Sequence, residues 1–160
     1  MSTDATRSMS QARPPRALHR RPRILFVAQD DGSYSQIAKA YMREIGPDVV
    51  EVSSAGLRTS SLDPQVAAVM AEDGCDIRRE TPRLVSREVL TWADLVVTLA
   101  PNGQRVGVGI PGSAHHKHWR LRHGLPHPPV EDLTPYRACR DEIKRRVDQT
   151  VHNIRLFRGH

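Results

Sequence analysis

Residues 94–100, DLVVTLA, form a Val/Leu run with no polar alternation. A strand with one wet face alternates apolar and polar residues, so a run without alternation needs cover on both faces. That requirement argues for a parallel sheet between helical layers. The flanking segments fit it. ILFVA at 24–28 reads as a buried strand, and Ile37, Tyr41 and Ile45, with Ala38 and Met42, follow at helical spacing until Gly46-Pro47 ends the pattern. VVEVSSAG at 49–56 alternates like a second strand, and Asp63-Pro64 opens a helix through PQVAAVMAEDG that stops at Gly74. A short helix around SREVLTWA leads into DLVVTLA, and AHHKHWRL reads as a further short strand between two Gly/Pro-rich loops. Cys139, Ile143, Val147, Val151 and Ile154 then mark one long closing helix. Strands alternating with helices give a parallel sheet with right-handed crossovers.

Length and charge set the domain limits. The 160 residues suit one domain with its own core. Residues 1–23 carry six Arg against Asp4, which accounts for most of the formal +6 charge. Without periodicity and with two consecutive prolines, residues 1–22 read as a disordered Arg-rich tail, and 23–157 as the folded domain. A transit peptide or a nucleic-acid arm are the other readings of such a start. The longest apolar run, ILFVA, has five residues, which gives no expectation of a membrane partner. Cys75 and Cys139 stand in no metal or redox spacing, so both are expected to fill the core, and the chain to be cytoplasmic.

Six segments in order carry a family likeness: ILFVAQDDGSYSQIAKAY, SSAGL at 53–57, LDPQVAAVMAEDGCDIRRETPRLVS at 62–86, ADLVVTLA at 93–100, HW at 118–119 and RDEIKRRV at 140–147. In these segments the chain resembles the low-molecular-weight protein tyrosine phosphatases, and among them the thioredoxin-coupled arsenate reductases. The resemblance implies a flavodoxin-like three-layer sandwich on four parallel strands, with the ligand loop after the first strand. It also implies a thiolate nucleophile, five intervening residues and an arginine, all directed at one oxyanion. Laid on this sequence, the nucleophile position is Ala28 and the arginine position Tyr34. The asparagine that shapes the family loop falls on Asp31, while the serine after the arginine is matched by Ser35. The expected Asp-Pro acid is absent, His127-Pro128 being nearest to its place, and PNGQRVGVGIPG holds none of the resolving cysteines of the reductases.

Alanine has no lone pair with which to attack phosphorus or arsenic, so the resemblance implies a scaffold without its catalytic residues: a pseudophosphatase acting as a binding or regulatory module on a protein partner. An enzyme of phosphatase or arsenate reductase type with an altered site is the alternative. The ligand loop comprises Gln29, Asp30, Asp31, Gly32, Ser33 and Ser35. Asp30, Asp31 and Ser33 are expected to cap the following helix, an internal carboxylate taking the phosphate's place. Asp30 and Asp31 as cation ligands are a lesser reading. Five of the eight histidines lie within 115–127, and His116 and His118 share a face if that segment is a strand. These two are the weak metal candidates; a solvated basic loop is preferred, and no cofactor is expected. Nucleic-acid binding through the tail and the basic 117–122 stretch lacks a recognised motif or stacking aromatics.

Overall fold

The computed structural model describes residues 20–158. Four strands, β1 (Arg23–Asp30), β2 (Glu51–Arg58), β3 (Leu95–Pro101) and β4 (His115–Leu121), form one parallel sheet in the order β2-β1-β3-β4. Four helices complete the domain: α1 (Tyr34–Ile45), α2 (Pro64–Glu72), α3 (Arg87–Trp92) and α4 (Thr134–Arg158). Every strand reaches its parallel neighbour through a crossover, so the loops at the carboxyl ends gather on one edge of the sheet.

Both faces are covered, as DLVVTLA requires. On one face Ile24, Phe26, Val97 and Leu99 pack with Ile37, Tyr41 and Met42 of α1 and Cys139, Ile143 and Val147 of α4. On the other, Leu25, Val27, Val96 and Ala100 pack against Val89, Leu90 and Trp92 of α3 and against Val106 and Val108 of the loop after β3. Alternate residues of β1 and β3 thus go to opposite clusters, and both alternations had to be apolar. The stripe on α1 is buried as its spacing predicts, apart from Ile45, which is half-buried at the helix end. Both cysteines are buried in the first cluster.

Local signals fix the helix ends. The Asp63 carboxylate accepts from the amides of Gln65 and Val66, with Pro64 in the first helical turn where no amide is missed. Gly74, at φ +80°, takes the left-handed conformation that ends this segment. Ser86 caps α3 by accepting from the Val89 amide.

The expected disordered tail lies, for residues 1–19, outside the described residues. Its last three residues are tied to the domain. Arg20 donates two hydrogen bonds to Asp94, Arg21 donates to the Pro47 carbonyl, and the Pro22 carbonyl accepts from the Glu51 amide. No described helix is long and apolar enough to cross a membrane.

One buried charge in α1 was not legible in the helical stripe. The Lys39 side chain is only 7% exposed, and its ammonium donates to Glu80 at 2.7 Å, holding that carboxyl below its usual range. A depressed carboxylate contributes stability that is full above its unfolded pKa and is lost as pH falls through the folded value. Glu80→Gln should destabilise the domain by about 2–3 kcal/mol, because the Lys39 ammonium is left without its counter-charge. Chemical denaturation at pH 7 and below pH 4 checks this: the difference between wild type and variant should shrink at the acid end.

Candidate functional site

β1 delivers its last residues to the sheet's carboxyl edge, and the chain turns at once into α1. Two glycines make the turn fit. A β-carbon on Gly56 of β2 would strike the Asp30–Asp31 backbone, and one on Gly32 would strike the Ser61 carbonyl, so the turn is pressed between β2 and the segment before α2. The Gly56 amide also donates to the Arg83 carbonyl at 2.8 Å, and the Val85 amide to the Gly56 carbonyl at 2.8 Å, which locks the 83–85 strip beside the turn.

Asp31 ties these pieces together. Its carboxylate is fully buried and accepts from the Ser35 hydroxyl at 2.7 Å, the Gln36 amide group at 3.2 Å and the Arg83 backbone amide at 3.0 Å. A buried carboxylate needs such donors to repay its lost hydration. The expectation that Asp30, Asp31 and Ser33 cap α1 is therefore corrected. Asp31 faces inward to side chains and a neighbouring loop, Asp30 accepts from the Gly32 amide at 2.9 Å, and Ser33 makes no side-chain capping bond. The Asp31 carboxylate is buried and does not line the cleft beside the turn.

Above the turn opens a cleft of about 870 Å³. Of the expected ligand loop, Gln29, Asp30, Gly32 and Ser33 line it, while Asp31 and Ser35 are buried. Ala28 is 1% exposed at the end of β1. Tyr34 and His127 both line the cleft, together with Arg58 at the end of β2. The Tyr34 hydroxyl accepts from the Leu125 amide at 2.7 Å, and burial pushes its phenol up to about 12 even though that amide pulls the other way. The phenol is thus neutral at physiological pH and bridges α1 to the loop that carries His127. Sequence spacing puts Tyr34 at the arginine position; only the fold reveals this bridge, because its partner is a backbone amide 91 residues away.

The remaining predicted residues lie elsewhere. His116 and His118 do share a face of β4, but they converge on Thr98, whose hydroxyl oxygen lies 3.0 Å from His116 Nε2 and 2.7 Å from His118 Nδ1. Among the described residues, no group of three or more His, Cys, Asp or Glu side chains is placed to hold a metal ion. Cys75 and Cys139 both sit in the first core cluster; burial pushes both thiols up, and neither lines the cleft.

A four-stranded parallel sheet between two helical layers, with a strand–turn–helix cleft at its carboxyl edge, defines the α/β sandwich class that binds ligands at the first crossover. Residues 23–156 match the family model for low molecular weight phosphotyrosine protein phosphatase, and the chain belongs to that family. It is 29% identical over 131 residues to arsenate reductase 1 of Staphylococcus epidermidis, across 82% of this chain and 96% of that one. An arsenate reductase of Bacillus cereus is 30% identical over 124 residues, across 78% and 90%. Among solved structures, a thioredoxin-dependent arsenate reductase of Corynebacterium glutamicum superposes with TM-score 0.68 at 25% identity. That match covers 86% of this chain and 63% of that one. An arsenate reductase of Archaeoglobus fulgidus gives 0.64 at 26%, covering 81% and 98%.

Replacing Asp31 by Ala strands three donors at a fully buried position and should cost about 3 kcal/mol, whereas Tyr34→Phe removes one bond at the cleft rim and should cost about 1 kcal/mol. Urea denaturation measures both. Hydrogen exchange should show faster exchange at the Leu125 amide in the Tyr34→Phe protein, with the core strands unchanged.

Proposed function

We propose that this chain is a non-catalytic member of the family, a module that uses the cleft after β1 to hold a protein partner. The observation that carries the reading is the methyl group of Ala28 at the end of β1, where covalent catalysis of the family's kind needs a nucleophile. Three further features support it. Tyr34 stands at the arginine position and accepts a hydrogen bond there, so no bidentate clamp on an oxyanion is present at that side chain. Ser33 and Asp30 border the cleft, but no base is bonded to the Ser33 hydroxyl and the Asp30 carboxylate is engaged by the Gly32 amide. The chain's two thiols are both in the core.

The second reading, an arsenate reductase or phosphatase with a rebuilt site, is favoured by the likeness to arsenate reductases over more than three quarters of the chain. It requires a different nucleophile. Of the side chains lining the cleft with a lone pair to offer, Asp63 caps α2 and Tyr34 accepts from the Leu125 amide, while His127 and Asp30, beside the hydroxyls of Ser33, Ser60 and Ser61, stand at the turn and the loop facing it. The two readings separate in one assay. Purified protein given an aryl phosphate, or arsenate with thioredoxin and its reductase, should show no turnover above the protein-free blank. Turnover that disappears in His127→Ala or Asp30→Asn would overturn the binding-module reading in favour of the enzyme.

A further inference from the structure

A second cleft, of about 1040 Å³, lies along the outer edge of β4 and is lined by Arg105, His116, His118, Arg120, Arg122 and Arg146. The geometry points to a binding site for a compact polyphosphate, an anion carrying two or more phosphate groups that is recognised through its phosphate chain.

The first argument is charge. Four guanidinium groups and two imidazoles line this basin, and no carboxylate does. Several arginines elsewhere find counter-charges, Arg20 on Asp94, Arg78 on Asp76, Arg137 and Arg140 on Glu72, and Arg155 on Asp48, while others, such as Arg87 and Arg145, form no ion pair among the described residues but are not gathered with the four of this basin. None of the four lining arginines forms an ion pair among the described residues. Convergence of like charges is unfavourable unless an anion joins them. His118 registers that convergence: burial first, then His116, Arg120, Arg146 and Arg105, hold its imidazole below its ordinary pKa.

The second argument is that the charges are positioned and not merely crowded. His116, His118 and Arg120 alternate along one face of β4, opposite Trp119 and Leu121, which enter the core. Thr98 is buried and in register with His118, and its hydroxyl contacts both imidazoles. One hydroxyl has a single proton, so it donates to at most one ring and accepts from the other when that ring nitrogen is protonated. Arg146 reaches from α4, donates to the Arg120 carbonyl at 2.9 Å and lies 5.9 Å above the Trp119 ring. Across the basin, Gln29 donates to the Arg105 carbonyl at 2.8 Å and anchors the loop after β3. These bonds fix the guanidinium of Arg146 itself and the main chain that carries Arg105 and Arg120, and guanidinium groups gathered on fixed backbone suit bidentate contacts with phosphate oxygens.

The third argument chooses the anion. The cleft is of the size that takes a small molecule, and no Phe, Tyr or Trp lines it on which bases of a single strand would stack. Four arginines exceed what one orthophosphate needs. Recognition therefore falls on a short chain of phosphates, whether free or borne by a nucleoside.

Titration calorimetry of the full chain in low salt tests the inference, with tripolyphosphate, a nucleoside triphosphate, orthophosphate and a fifteen-nucleotide single strand as separate probes. Tripolyphosphate should bind saturably at one site with micromolar affinity, the nucleoside triphosphate within about threefold of it, and orthophosphate at least tenfold more weakly. The double variant Arg120→Gln, Arg122→Gln and the single variant Arg105→Gln alter exposed side chains, and each should weaken tripolyphosphate at least tenfold with an unchanged circular dichroism spectrum. Arg78→Gln, which removes one charge outside the cleft, should leave affinity unaltered. Absence of saturable binding overturns the proposal. So does affinity indifferent to the cleft variants, which would place the ligand elsewhere on the chain, or an oligonucleotide that binds more tightly than tripolyphosphate. Failure of any of these arms leaves the binding-module reading of the other cleft untouched, since that reading rests on the methyl group of Ala28 and is tested by the absence of turnover.

Discussion

The organisation of this domain depends on one carboxylate taken wholly out of water. Asp31 reaches a side-chain hydroxyl, a side-chain amide and a main-chain amide, and those three donors come from the first turn of α1 and from the strip before α3. Buried without them, the charge would be too costly to keep. With them, it fixes the turn after β1 to the pieces that surround it, while Gly32 and Gly56 allow the backbones to close to contact. The cleft's floor follows from that bonding. Its wall follows from Tyr34, which joins the start of α1 to the loop beyond β4.

The layered fold was legible because its signals are local and periodic. DLVVTLA supplied apolar residues at both parities, and the structure sends one parity to each cluster. Asp63 before Pro64 announced a capped helix, and the cap is there. The site was legible only in outline. The loop residues were found by their position after β1, yet the partners of Asp31 and Tyr34 include backbone amides 52 and 91 residues away, which no local spacing encodes. The capping expectation failed for the same reason: a short acidic side chain before a helix has the capping bond as its usual local choice, and a tertiary partner displaced it. The Lys39–Glu80 pair was likewise hidden, because a lysine in an amphipathic pattern reads as solvent-facing until the segment that covers it is known.

The two clefts have contrasting chemistry. The one after β1 mixes carboxylates, hydroxyls and a single arginine around apolar ends of β3, whereas the one along β4 is cationic throughout. They are neighbours: Gln104 borders both, and Gln29 spans from the first toward the loop that walls the second. Membership of the phosphatase family accounts for the position of the first cleft, at the crossover where such sheets receive ligands. It does not account for the second, whose residues come from β4, the loop after β3 and α4.

The outer strand also bears on how copies of this molecule behave toward one another. Among the described residues β4 is the last strand of the sheet, and apart from the Arg120 carbonyl that Arg146 covers, such a rim presents main-chain donors and acceptors of the kind that invite strand addition from a second molecule and ultimately fibrous precipitation. Here the strand carries Lys117 and Arg120, exposed cationic side chains whose mutual repulsion keeps approaching rims apart. Colloidal stability in concentrated solution is thus written into the same strand that collects the cationic groups, and polyvalent counter-ions in a storage buffer would weaken that protection before they disturbed the core.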